Sequence, residues 1–273
     1  MKNLLSLTLF VLLAGRAFAV DGVVLINQSI ALAGGVTPGD TPGFPVTISV
    51  SGSYQLSGNL VVPDGNTGAI LITADNVTIN LNGFSIIGPV VCSGGPPVTG
   101  CSSGSGVGII SGNSNISVSN GTVRGMFTGI DLLGAGNRIA NVQAISNFGD
   151  GIDVGPGVIV SSSTASYNGR AGIFIPFSGL SNIAKIVDNV LIGNGSSGMA
   201  AGGLISGNLV TMNTGAFLRV AQASLQRTWS SEIRSRTLTL LGRRVVSSSI
   251  TTHRSARNRG QRLDQRRDRA GRD

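Results

Sequence analysis

The chain is poor in the residues that metal, redox and acid–base chemistry draw on. Its 273 residues include one histidine, one tryptophan and two cysteines, and only 12% are Asp, Glu, Lys or Arg. The lone histidine, His253, is far along the chain from Cys92 and Cys101, so the Cys/His set that holds zinc lacks its ligands. Soft ligands for copper are equally few, with Met126, Met199 and Met212 scattered singly. After the first 19 residues no segment approaches the roughly 18 uninterrupted apolar residues of a membrane-spanning helix. No amphipathic helical pattern separates the strand-like segments, which excludes an alternating βαβ fold, and a Leu-x-x-Leu-x-Leu frame is missing, which excludes leucine-rich repeats.

What the chain does have is a repeat. In DNVTINLNGFSIIG (75–88), Val77, Ile79 and Leu81 alternate with Asn76, Thr78 and Asn80, the pattern of a strand with one buried face. Asn82-Gly83 breaks the alternation and Phe84 and Ile86 restart it in the opposite phase, as at a corner between two short strands. Downstream a glycine followed by an apolar residue recurs at Gly108-Ile109, Gly129-Ile130, Gly151-Ile152, Gly172-Ile173 and Gly198-Met199. Asn147, Asn168 and Asn194 each stand four residues ahead of such a pair, with Asn213 as a fourth. One coil therefore takes roughly 20 to 25 residues, a period that with Val/Ile alternation and abundant Gly and Asn predicts an all-β solenoid of parallel strands.

Residues 45–88, with GSYQLSGNL followed by DNVTINLNGFSIIG, resemble the opening coils of right-handed parallel β-helix proteins of the pectin-lyase-like superfamily. The resemblance runs more loosely to about residue 215 and implies a right-handed β-helix of about seven coils. It implies less about activity, since one fold hosts many functions. Polygalacturonase-like members carry NTD, a DD pair, GHG and RIK; this chain has no DD pair, and His253 lies outside the coils. Pectate-lyase-like members need clustered Ca²⁺-binding aspartates and a basic residue to abstract a proton, a role for which Arg124 and Arg170 are the candidates. No catalytic residue carries over.

At the start, Lys2, the apolar run from Leu4 to Ala14 and Ala17-Phe18-Ala19 have the three parts of a secretory signal peptide (1–19) cut after Ala19. The run is too short to span a membrane, so an anchor is the weaker reading. Residues 20–45 are expected to cap the first coil, whose apolar surface and strand edge would otherwise be open. Residues 46–216 form the coils, with small polar residues outside and Gly and Asn at corners where positive φ is needed. Aligned corner asparagines are expected to stack as an amide ladder. The repeat is interrupted at 88–107 by a Gly-, Pro- and Ser-rich loop holding both cysteines, and in an exported protein Cys92 and Cys101 are expected to form a disulfide.

Chemistry has to be sought on the outer faces. Asp131 and Asp153 each end a Gly-Ile-Asp triplet, 22 positions apart, with Asp150 close by. If Ile130 and Ile152 point inward, both carboxylates point outward on neighbouring coils about 4.8 Å apart. Such a pair pushes one pKa up and sets an acid beside a base, and a hard cation such as Ca²⁺ is the one cofactor it could take. The plainer reading is two solvated aspartates at equivalent repeat positions. Arg124, Arg138, Arg170, Lys185 and Asp188 are scattered singly, as solvating residues or as contacts to an acidic glycan.

Charge divides the chain. Residues 20–216 hold four basic residues against eight aspartates, whereas 217–273 hold fourteen arginines against four acids. Three readings of this Arg-rich tail stand side by side. It is an arm for nucleic acid or another acidic surface, which export disfavours. It is a cap whose spacing of Phe217, Ala221, Leu225, Trp229 and Ile233 predicts an amphipathic helix, followed by a disordered end. Or it is a frameshift product, since every basic residue after Gly215 apart from His253 is Arg and none Lys; sequencing the gene across that junction decides the point.

The expected role is that of a secreted or periplasmic, non-catalytic β-helix protein presenting a repetitive polar face to a polysaccharide or another cell-surface component. The alternatives are a carbohydrate lyase or hydrolase using the Asp131/Asp153 face and a periplasmic metal-handling protein. Oligomeric state is open, although an uncapped last coil would favour end-to-end pairing.

Overall fold

A computed structural model describes residues 22–176 and 184–215, together with the backbone of 224–226 and 229–230. The signal-peptide segment therefore lies outside the described residues, as does most of the tail. The described chain is all-β, with parallel strands stacked in two long sheets and a single short helix. One sheet has seven strands: Val46–Ile48, Ile70–Ile72, Ile109–Ser111, Ile130–Leu132, Ile152–Val154, Ile173–Phe174 and Met199–Ala200. Between successive members the chain passes through the second, fifteen-stranded sheet, usually as two strands meeting at a bend. Ser117–Arg124 and Arg138–Ile145 run unbroken through that bend.

Alternation makes this stack. In the first five strands of the seven-stranded sheet the pattern is buried–intermediate–buried, and Val46, Ile70, Ile109, Ile130, Ile152, Ile173 and Met199 form one inward column in register. Fully burying each such side chain is worth about 1.5–3 kcal/mol, so the core is a sum of similar rungs. Ser111 is the polar exception; its hydroxyl donates to the Ile72 carbonyl at 3.0 Å and accepts the Asn113 N–H at 3.0 Å, which removes the penalty for burying it.

Two kinds of corner separate the strands. Asn76, Asn82, Asn115, Asn120 and Asn141 adopt positive φ, which Asn tolerates better than other residues with a side chain. Asn147, Asn168, Asn194 and Asn213 do something else. They are buried, and each of the first three donates its side-chain amide to the next asparagine's Oδ1, at 2.9, 3.0 and 2.8 Å. The expected ladder is thus present with its fourth rung.

Gly83, Gly125, Gly136, Gly157, Gly193 and Gly207 do take positive φ, as expected at corners, but the glycines of the Gly-apolar pairs have a different role. Gly129, Gly151, Gly172 and Gly198 are not in that region. Space is the reason for them: a Cβ there would stand 2.9, 2.6, 2.9 and 2.7 Å from the amide nitrogens of Asn147, Asn168, Asn194 and Asn213. The Gly-apolar pair and the asparagine are one device, with the glycine of one coil making room for the amide of the next.

At the N-terminal end, Val24–Ile26 adds a parallel strand to Gly52–Leu56 in the register Val24↔Tyr54. The helix Gln28–Ala33 follows, its first turn capped by Asn27, whose Oδ1 accepts the Ile30 N–H at 3.0 Å. Ala31 of this helix is buried in the core.

At the other end the amphipathic helix expected over 217–233 is not what 224–226 and 229–230 adopt. Ser224–Gln226 pairs with Gly203–Ser206 and Trp229–Ser230 with Leu209–Thr211, both parallel. A strand can hydrogen-bond the open edge of the preceding coil and a helix cannot, so stacking continues beyond residue 216. The remaining tail residues lie outside the description.

Candidate functional site

Asp131 and Asp153 are the middle residues of Ile130–Leu132 and Ile152–Val154, and they are direct register partners. Their neighbours on each strand are buried, so the carboxylates point outward. They are not freely solvated. In the same column Ile110 lies before Asp131 and Phe174 after Asp153, and both aspartates are half-buried. One oxygen of each, Oδ1, is shielded from solvent and has no hydrogen-bond partner.

Asp150 sits in the corner that leads into the Asp153 strand and is itself buried. Its Oδ1 accepts the Ala171 N–H of the following coil at 2.8 Å, and its Oδ2 lies 3.5 Å from Nη1 of Arg170, the one ion pair among the described residues. The Arg170 side chain is 59% exposed, so solvent screens that attraction and it is worth little as stabilisation.

This arrangement raises all three carboxyl groups above the usual carboxylate range. Burial is the first cause in each case. Asp153 is pushed up to about 7 by burial, then by the charges of Asp131 and Asp150, against the opposing Arg170 and the Val154 N–H. Asp131 is raised by burial and by Asp150. For Asp150, burial outweighs the Ala171 N–H and Arg170. Near neutral pH Asp153 is therefore the group poised to hold a proton, beside the carboxyl groups of Asp131 and Asp150.

The other sequence candidates fall elsewhere. Arg124 ends the strand Ser117–Arg124 in the fifteen-stranded sheet, exposed, and so does not join Asp150 as Arg170 does. Among the described residues no three His, Cys, Asp or Glu side chains are arranged to hold a metal ion, and no helix is long and apolar enough to cross a membrane.

The corner beside the aspartates has a further component that residue-type reasoning missed. The rings of Phe127 and Phe148 stack with centroids 5.5 Å apart. Cys92 and Cys101 are joined in a disulfide, and their Sγ atoms lie 3.5 and 3.8 Å from the Asn147 carbonyl oxygen, a packing contact because a cystine has no S–H to donate. The segment around them runs along the stack: just ahead of Cys92 the Val90 N–H donates to the Gly125 carbonyl, and within the closed loop the Val98 N–H donates to that of Gly193, several coils on. Glycine at 169 makes room for it, since a Cβ there would stand 3.0 Å from Cys101 Sγ.

Compared with known proteins, the chain matches no family model, no curated protein and no solved structure.

Proposed function

We propose that the chain is an exported right-handed parallel β-helix of the pectin-lyase-like kind, with about seven coils, whose repetitive polar face binds a polysaccharide or another cell-surface glycan without turning it over. The observation that carries this reading is a pair of outward columns on the fifteen-stranded sheet. Ser85, Thr122, Gln143 and Thr164 succeed one another in register, opposite the buried Ile86, Val123, Ala144 and Ala165. Gln55, Asn80, Ser119 and, after Ala140, Ser161 form a parallel column. Over the coils from Gln55 to Thr164, before Val187 and Val190 follow in the two columns, a strand spacing of about 4.8 Å presents hydroxyl and amide groups with a single break at Ala140, as suits a polymer that repeats its own hydroxyls. The cystine and the signal-like N-terminus support a secreted or periplasmic location.

A second reading places carbohydrate cleavage at Asp131 and Asp153, favoured by the proton that Asp153 keeps to about 7 beside its partner. Incubation of the purified protein with neutral and acidic polysaccharides, with and without Ca²⁺, separates the two. Retention on a glycan without released reducing ends or unsaturated products supports binding. Turnover abolished by Asp131→Ala or Asp153→Ala replaces it with the second reading, and neither retention nor turnover on any glycan rejects both.

A further inference from the structure

The stacked aspartates pose a problem of hydrogen bonding that lies outside glycan recognition. Asp131 Oδ1 and Asp153 Oδ1 are both shielded from solvent and both lack a donor, although they stand on adjacent strands in direct register. Two ionised carboxylates would supply four acceptor oxygens and no donor. The apolar Ile110 and Phe174 above and below in the same column supply none either. Among the described residues no other buried side-chain oxygen or nitrogen lacks a partner; the asparagine ladder shows how, because an amide carries donor and acceptor together.

A single proton gives the aspartates the same property. We propose that Asp131 and Asp153 hold one proton between them, an acid–carboxylate hydrogen bond that joins their two coils and comes apart when that proton leaves. The charged and titratable groups around the pair are Asp150, from the corner before the Asp153 strand, and Arg170 from the next coil, and these two neutralise each other in part. Neither the Ile109–Ser111 strand nor the Ile173–Phe174 strand brings a charge. The joint is therefore set first by the burial of the two carboxyl groups, with the Asp150 charge adding to it, and it makes the stack sensitive to the pH of the surroundings.

The sign follows from linkage. The native pair keeps a proton that the unfolded chain releases near the ordinary Asp pKa of about 3.9. The contribution is complete below that value and is lost as pH rises to about 7, where the native pair also ionises.

The test is carboxyl-¹³C NMR titration and thermal melting of the full-length protein, wild type and the variants Asp131→Asn, Asp153→Asn and the double change. Asparagine is isosteric and the protein already stacks buried amides, so the variants are expected to fold. In the wild type both carboxyl resonances should move together in a step near neutral pH, and Asp131→Asn should shift the Asp153 step downward. Wild-type Tm should fall between about pH 4 and 7 more steeply than that of the double variant, with parallel curves at higher pH. Independent titration of the two groups in the ordinary carboxylate range overturns the proposal, as does an Asp153 step unmoved by Asp131→Asn. Added Ca²⁺ that stabilises the wild type at pH 8 but not the double variant also overturns it, by showing that a cation takes the place of the proton.

Discussion

Asn168 accepts both the side-chain amide of Asn147, at 2.9 Å, and the Asn147 backbone N–H, at 3.1 Å, on its single Oδ1, while its own Nδ2 donates to Asn194 at 3.0 Å. One side chain thus completes the hydrogen bonds of two neighbouring coils at a buried corner. Asn168→Ala strips the acceptor from two buried donors and the donor from Asn194. With about 1–3 kcal/mol for each buried group left unpaired, a loss of about 2–5 kcal/mol is expected in urea unfolding. The exposed Arg138→Ala, at ordinary strand φ, should stay within about 0.5 kcal/mol.

The same corner makes glycine obligatory one coil earlier. An alanine Cβ at position 151 would lie 2.6 Å from Asn168 Nδ2, fixed by the ladder, and 2.8 Å from the Gly172 carbonyl oxygen, fixed by the Ile152 N–H. Gly151→Ala should therefore cost about 2–3 kcal/mol by overpacking, although it would stabilise an ordinary strand. Gly112→Ala, with nothing within 4 Å of its added Cβ, is the matched control and should be neutral in the same unfolding measurement.

Closing the loop between Cys92 and Cys101, nine residues apart, restricts the unfolded chain by about 2–3 kcal/mol. The benefit is local, because the loop meets the stack through a few contacts such as Val98 N–H to Gly193 O. Replacing both cysteines with serine should open residues 94–99 to limited proteolysis. Amide exchange in Ile130–Leu132 and Ile152–Val154 should remain protected; uniform loss of protection would show that the loop supports the whole stack.

Glycan affinity provides the check on the polar columns. Gln143 is exposed and Thr164 partly so, in adjacent register positions. A hydrogen bond to a neutral partner is worth about 0.5–1.5 kcal/mol net, so Gln143→Ala with Thr164→Ala should weaken binding to a retained polysaccharide by about 5- to 100-fold. Unchanged Tm confirms that folding is intact, and unchanged affinity would move the binding face elsewhere.

Periodicity made the strands, the inward columns and the Asp131/Asp153 pairing legible, because a parallel stack converts a sequence offset of one coil directly into contact. It also showed the Gly-apolar pairs and the asparagines separately. That Asn168 packs on Gly151 of the previous coil was not legible, since the sequence shows each motif within its own coil and the contact runs between coils. The shielding of the aspartates could have been read from the same triplets, as Ile110 and Phe174 occupy the third place in Gly108-Ile109-Ile110 and Gly172-Ile173-Phe174. The path of the disulfide loop could not, because it depends on carbonyls at Gly125 and Gly193 that any residue type would supply. In the tail, four-residue spacing suggested a helix where the open sheet edge selects strands at 224–226 and 229–230.

Asp150 gives the last handle on the acidic column. Its charge raises both Asp131 and Asp153, after burial, while its own Oδ1 holds the Ala171 N–H. Asp150→Asn keeps an oxygen for that N–H and removes the charge. The carboxyl resonances of Asp131 and Asp153 should then titrate at lower pH, yet still above the ordinary range, because burial is the larger cause. Since a lowered native pKa narrows the window over which stability falls with rising pH, the variant should lose less Tm than the wild type between pH 5 and 8. An upward movement of the two resonances would mean instead that freeing Arg170 from Asp150 turns it away from Asp153, and that the guanidinium had been the stronger influence on the pair.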